Sequence, residues 1–279
     1  MNCPTLCKNC NDTAGKTAGL CSETSVSYVH CMITAPAPAL GLCLFLDVDG
    51  TLIELAATPF DTRVGEELKR LLSVVSERLG GAVALVSGRS IAYLDAMFAP
   101  LALPSAGLHG VERRSASGAV HGASFIDSQL ASTRAALKAL AQTHPGVLLE
   151  DKGRTLAIHY RLAPHLASDI HEAITGLVAD LGPQYHVQPG SMMLEIKPRG
   201  FNKGNSVKEF MHEPPFSGRQ PVYIGDDITD LDGFRAADDL GGISIAVGDR
   251  VQARCHLSGP AAVHGWLQGI ADLVDSHHE

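Results

Sequence analysis

No stretch of about 18 apolar residues runs uninterrupted through this 279-residue chain, which excludes a helical membrane span. A basic surplus is also missing: 22 lysines and arginines face 30 aspartates and glutamates, a net charge of −8. Proteins that grip a nucleic acid backbone carry the opposite sign, so no nucleic acid partner is expected. The chain does not start with a basic stretch followed by an apolar run, as a secretory leader does, and it shows no internal repeat. Cysteine is scarce beyond the first 31 residues. Five of the seven lie there, and the other two, Cys43 and Cys255, sit among apolar neighbours as small hydrophobes. With no leader and no paired cysteine framework, the reducing cytoplasm is the expected compartment. The 13 histidines lack metal-ligand spacing and read as surface or packing residues.

What is present describes a globular chain: 45% of residues are hydrophobic and 19% charged. The length suits one large domain, or one carrying a smaller insertion. Residues 1–37 read as a disordered extension, polar, small and without period. Cys3, Cys7 and Cys10 have a spacing that an iron–sulfur cluster accepts, but nothing downstream supplies a matching domain. Met32 stands as a candidate translation start.

From residue 38 a pattern emerges. Leu42–Leu46 is a continuous apolar run, as expected of a strand buried on both faces of a parallel sheet. Ala82–Val86, Val222–Ile224 and Ser244–Val247 repeat that signal. Between them Val64, Leu68, Leu71, Leu72, Val75 and Leu79 recur at helical spacing. Val263, Trp266, Leu267, Ile270 and Val274 do so near the carboxyl terminus. Alternating strands and helices predict a doubly wound α/β core built from 38–122 and 198–279. The middle segment, 123–197, holds two amphipathic helices and the strand-like runs Thr155–Tyr160 and Met192–Ile196, and reads as a small α+β layer.

Chemistry-bearing residues gather where predicted strands end. Asp47 and Asp49 stand two apart, so one can attack as a nucleophile while the other handles protons. Gly50 permits the tight turn that presents them. Ser87-Gly88-Arg89 can offer a hydroxyl and backbone N–H groups to a phosphate. Lys203, at the start of a predicted helix, can bring an ammonium to the same group. Asp226, Asp227 and Asp230 crowd three like charges, which favours a hard, oxygen-seeking cation such as Mg2+. Glu112-Arg113-Arg114 reads as a solvated strand end.

These four segments, in this order, resemble the motifs of the haloacid dehalogenase superfamily of phosphatases. Asp49 and Ser87 lie 38 positions apart and Ser87 and Lys203 lie 116 apart, so an inserted cap belongs in the second gap. The resemblance extends to the trehalose-6-phosphate phosphatases through Leu46–Leu52, Val86–Ser90, Gly107–Arg113, Glu150–Gly153, Ala157–Arg161, Glu195–Gly200 and Gly225–Asp232. One departure is Leu231, where that family often has an acidic residue.

The resemblance implies a Rossmann-like core with an α+β cap and Mg2+-dependent hydrolysis of a phosphorylated disaccharide through an aspartyl-phosphate. It implies Asp47 as nucleophile and Asp49 as acid and base. It further implies Mg2+ on Asp47, the Asp49 carbonyl and Asp226, with Asp227 and Asp230 in support and Ser87 and Lys203 on the phosphoryl oxygens. Arg89, His109 and the cap residues Glu150, Lys152 and Glu195 are the candidate substrate contacts. A salt bridge from Lys152 to one of those glutamates is the structural alternative. The partner is a small sugar phosphate met by a monomer; sucrose or glucosylglycerol phosphate is the alternative substrate, and a catalytically silent sugar-phosphate-binding module the alternative class.

Overall fold

A computed structural model describes residues 33–55, 62–122 and 127–273. The five amino-terminal cysteines, Met32 and Val274 lie outside the described residues. In chain order the first half of the core runs β1 (Ile33–Thr34), β2 (Leu42–Leu46), α1 (Glu66–Arg78), β3 (Val83–Val86), α2 (Ile91–Phe98), β4 (Ser105–Gly107), β5 (Glu112–Arg114) and β6 (Val120–Gly122). Next come α3 (Asp127–Thr143), β7 (Leu148–Asp151), β8 (Leu156–His159), α4 (Ala167–Leu181), β9 (Tyr185–Gly190) and β10 (Met193–Pro198). The core resumes with α5 (Lys203–Met211), β11 (Gln220–Gly225), α6 (Leu231–Asp239), β12 (Ile243–Val247), β13 (Cys255–Leu257) and α7 (Pro260–Ala271).

Nine strands make the large sheet, in the order β1-β13-β12-β11-β2-β3-β4-β5-β6. Pairing is parallel from β1 across to β4 and antiparallel at β5 and β6. Every residue of β2 and β3 is buried, which is why their sequences lack polar alternation. Phe45 of β2 packs against Phe210 of α5 and Phe216, and Cys43 Sγ lies 3.5 Å from Met211 Sδ. α1 packs with α7, and α5 with α6, as two separate helix pairs.

The inserted cap is a second, wholly antiparallel sheet ordered β7-β8-β10-β9, with α3 and α4. Its period-two pattern divides the faces. Leu156, Ile158, Leu194 and Ile196 join Leu137, Ile170 and Ile174 in a core of their own. Met193, Glu195 and Lys197 alternate with them and so occupy the other face. The α/β core with an inserted α+β cap is the fold expected from the sequence.

Two expectations need correction. The chain enters the sheet at Ile33, inside the stretch read as disordered: β1 pairs with β13, and Trp266 Nε1 donates to Pro36 O at 2.7 Å. Long-range partners order a segment too short to show a pattern of its own. Glu112-Arg113-Arg114 is also no solvated end. Arg113 pairs with Glu213, Arg114 with Asp95, and Glu112 accepts the Ile91 N–H at the start of α2. Among the described residues no helix is long and apolar enough to cross a membrane.

Candidate active site

β2 lies between β11 and β3, so the loops leaving these three strands converge at one edge of the sheet. Asp47 follows β2, Ser87 follows β3 and Asp226 follows β11. Asp47 stays in the ladder through its N–H, which donates to Ile224 O at 2.9 Å. Gly50 then turns with φ +88°, and a Cβ there would stand 2.2 Å from Asp226 Oδ2. Only glycine fits both the backbone and the neighbour.

Lys203, first residue of α5, reaches across to these loops. Its buried Nζ lies 2.7 Å from Asp47 Oδ1 and 2.7 Å from Asp230 Oδ1. Burial opposes its charge, but Asp230 and Asp47 outweigh burial and hold its pKa above the ordinary lysine range. Burial also pushes the Asp47 carboxyl well up, with Asp230 and Asp226 adding to the rise and Lys203 opposing it. Asp226 is raised likewise by burial and Asp230, against Arg250.

Asp230 acts as the scaffold of this cluster. It accepts from Tyr223 OH at 2.7 Å, from Lys203, and from the backbone N–H groups of Asp226 and Asp227 at 3.1 and 3.0 Å. Ligand oxygens of Asp47, Asp226 and Asp230 lie within 4.8 Å of one another. Oxygen donors with like charge crowded this closely suit a hard divalent cation. With Asp230 already committed to four donors, Asp47 and Asp226 are the carboxylates that can take it.

Asp49 is held differently. Arg89 Nε and Nη2 lie 2.6 Å from its Oδ2 and Oδ1, a bidentate pair. Arg89 also reaches Thr62 Oγ1 at 2.9 Å and stacks on the Tyr93 ring at 4.8 Å. The Ser87 hydroxyl accepts the Arg89 N–H at 3.2 Å and is buried at the cleft floor.

On the cap side, Glu195 lies 1% exposed, and Thr155 Oγ1 donates to it at 2.7 Å and Lys152 Nζ at 3.3 Å. Burial opposes its charge, yet Lys152, then His109 and Thr155, hold its carboxyl far below the usual range. Lys152 also donates to Gly88 O of the core at 3.2 Å and lies 3.9 Å from Glu150. His109 approaches Glu195 from the core at 3.4 Å, its backbone left-handed at φ +54°. Gly88 leaves room for it, since a Cβ there would stand 2.6 Å from the ring. Burial pushes the His109 pKa down, so the ring is neutral near neutral pH, and Nδ1 finds no partner among the described residues. Glu150 accepts from His159 Nε2 at 2.8 Å.

One cleft of about 990 Å³ gathers all twelve sequence-derived candidates except Asp230, which stands behind it. The Lys152–Glu195 salt bridge is therefore present, and it coexists with cleft lining. Three participants have no role assigned from the sequence: Thr51, inside the matched segment Leu46–Leu52, which donates to Asp226 Oδ1 at 3.2 Å, Thr155, and Arg250, 2.9 Å from Asp226 Oδ2. Each meets its partner across a large sequence separation that no local pattern marks.

A trehalose-phosphatase family model matches residues 45–258, nearly all of this architecture. The chain belongs to the trehalose-phosphatase family. It is 44% identical over 210 residues to a probable trehalose-phosphate phosphatase of Sinorhizobium fredii, covering 75% of this chain and 79% of the relative. It is 38% identical over 236 residues to a trehalose-6-phosphate phosphatase of Escherichia coli, covering 84% and 88%. The carboxy-terminal domain of the Candida albicans trehalose-6-phosphate phosphatase superposes with a TM-score of 0.71 at 26% identity, covering 84% of this chain and 93% of that one. Family membership makes the chain a phosphoric monoester hydrolase. The cleft between core and cap is where the residues suited to that chemistry meet.

Proposed function

We propose that this trehalose-phosphatase family member hydrolyses trehalose 6-phosphate to trehalose and phosphate in the cytoplasm, through an aspartyl-phosphate on Asp47. The observation that carries this reading is the buried Asp47–Lys203 pair, 2.7 Å apart, at the mouth of β2 and facing the cap. Lys203 fixes Asp47 Oδ1 and, with Ser87, holds the phosphoryl oxygens in line for attack. An Asp47 oxygen bonds to phosphorus as the bond to the sugar oxygen breaks, and Asp49 gives that oxygen its proton. Asp49 then takes a proton from the water that attacks the acyl phosphate, which frees phosphate and restores Asp47. Asp47, the Asp49 carbonyl and Asp226 would hold Mg2+, which when bound neutralises the crowded carboxylate and phosphoryl charge. Asp227 and Asp230 support that set, Asp230 by pinning the 226–227 backbone.

Glu150, Lys152 and Glu195, charged groups on the cleft side of the cap, are the proposed sugar-hydroxyl partners, with His109 and Arg89 meeting the substrate from the core. Closure of the cap shields the first step from bulk water. The test is phosphate release from trehalose 6-phosphate, sucrose 6-phosphate and glucosylglycerol phosphate, each in MgCl2 and in EDTA. Trehalose 6-phosphate should lead by a wide margin, and only with Mg2+. A flat profile, or preference for another ester, overturns the substrate assignment.

A further inference from the structure

The acidic cluster is neutralised by two unlike cations. Lys203 is 3% exposed and serves Asp47 and Asp230. Asp226 is served instead by Arg250, in the loop after β12, whose Nη2 lies 2.9 Å from Asp226 Oδ2. That arginine is 46% exposed while the carboxylate it covers is 4% exposed. Besides Arg250, the side-chain partners of Asp226 are the neutral Thr51 hydroxyl, on Oδ1, and the Asp47 carboxyl, so Arg250 is its one cationic partner among the described residues. A metal ion on Oδ2 and a guanidinium 2.9 Å from the same oxygen repel each other, so each weakens the hold of the other there. Arg250 has somewhere to go. Its Nη1 is already 3.9 Å from Asp227 Oδ1, on a side chain half exposed to water.

We propose that Arg250 is a displaceable counter-ion that competes with the divalent cation for Asp226 and so sets how tightly that cation binds. The inference rests on the reading of Asp226 as a metal ligand. Arg250 on Asp226 relieves the repulsion among Asp47, Asp226 and Asp230, and cation binding moves it outward to Asp227. Because the pair is half exposed and screened by solvent, the effect is modest, about fivefold in affinity.

Calorimetric titration of MgCl2 into the wild type, Arg250→Gln and Arg250→Lys tests this. Arg250→Gln should bind Mg2+ about fivefold more tightly, with Arg250→Lys between. Without Mg2+ the glutamine variant should melt below the wild type, and saturating MgCl2 should close the gap, since the pair is lost on binding in the wild type too. Mg2+ binding that is equal or weaker in Arg250→Gln, or a melting gap that persists in saturating MgCl2, overturns the proposal while leaving the metal site standing. Absence of Mg2+ binding to all three proteins overturns the metal-ligand reading and this proposal with it.

Discussion

Arg89 grips both carboxylate oxygens of Asp49 at 2.6 Å, and no lysine reproduces that planar fork. Asp49 is therefore held in one rotamer before any substrate arrives. Arg89→Lys should lower kcat/KM on the order of a hundredfold, the scale expected when a reacting group shifts by about 1 Å. The loss should extend from trehalose 6-phosphate to para-nitrophenyl phosphate, because both esters pass through the acyl phosphate whose attacking water gives its proton to Asp49. Steady-state kinetics on the two esters check it; a loss confined to trehalose 6-phosphate would leave Arg89 its substrate contact alone, with no part in holding Asp49.

Glu195 joins the cap to the core by holding Lys152, Thr155 and His109. Glu195→Ala leaves Lys152 partly buried without its main partner and should cost about 3–5 kcal/mol in urea unfolding. Glu195→Gln keeps the shape and should impair trehalose 6-phosphate far more than para-nitrophenyl phosphate, which does not reach the cap. The depressed carboxyl sets a pH window as well: its stabilisation is complete above about pH 4.5 and is lost as pH falls below that. The glutamine variant should lack this share of the acid loss of stability, measured as the melting temperature against pH.

Lys197 of β10 is 1% exposed, and burial pushes its pKa from 10.5 down to about 8. Between those values the unfolded chain holds a proton that the folded chain has shed, so stability rises with pH; below about 8 the penalty is complete. Lys197→Met should therefore melt higher than the wild type near neutral pH. The difference should shrink as pH approaches 10.5. A destabilised Lys197→Met would mean that its attraction to Glu195 and Asp232 outweighs burial.

The strands that the sequence made legible are those buried on both faces, such as Leu42–Leu46 and Val83–Val86, where a continuous apolar run is the whole signal. Leu148–Asp151 escaped because edge and cleft-facing strands carry polar residues, and Glu112–Arg114 reads as a solvated strand end for the same reason. β9 escaped for the same reason, with Pro189 inside it. The site was legible where chemistry is clustered at a strand end, as at Asp47, Asp49 and Asp226. Arg250 was not, since Gly248-Asp249-Arg250 is an ordinary turn until Asp226 is seen beside it.

β1 illustrates order imposed from a distance. A chain beginning at Met32 keeps the β1–β13 pairing and the Trp266–Pro36 hydrogen bond, and should match the full chain in activity and melting temperature. A chain beginning at Leu40 loses both and should melt lower by a few degrees, as expected for about 1–2 kcal/mol in a domain of this size. Thermal melts of the three proteins decide it; equal melting for all three would show that the edge strand contributes nothing.

The central claim is that Asp47 forms the bond to phosphorus. Its most direct test is phosphate release from trehalose 6-phosphate by Asp47→Asn in saturating MgCl2, with circular dichroism verifying the fold. An amide cannot attack phosphorus as a carboxylate does, so turnover should fall to background while the folded spectrum is retained. Phosphate release near the wild-type rate by folded Asp47→Asn would contradict the account.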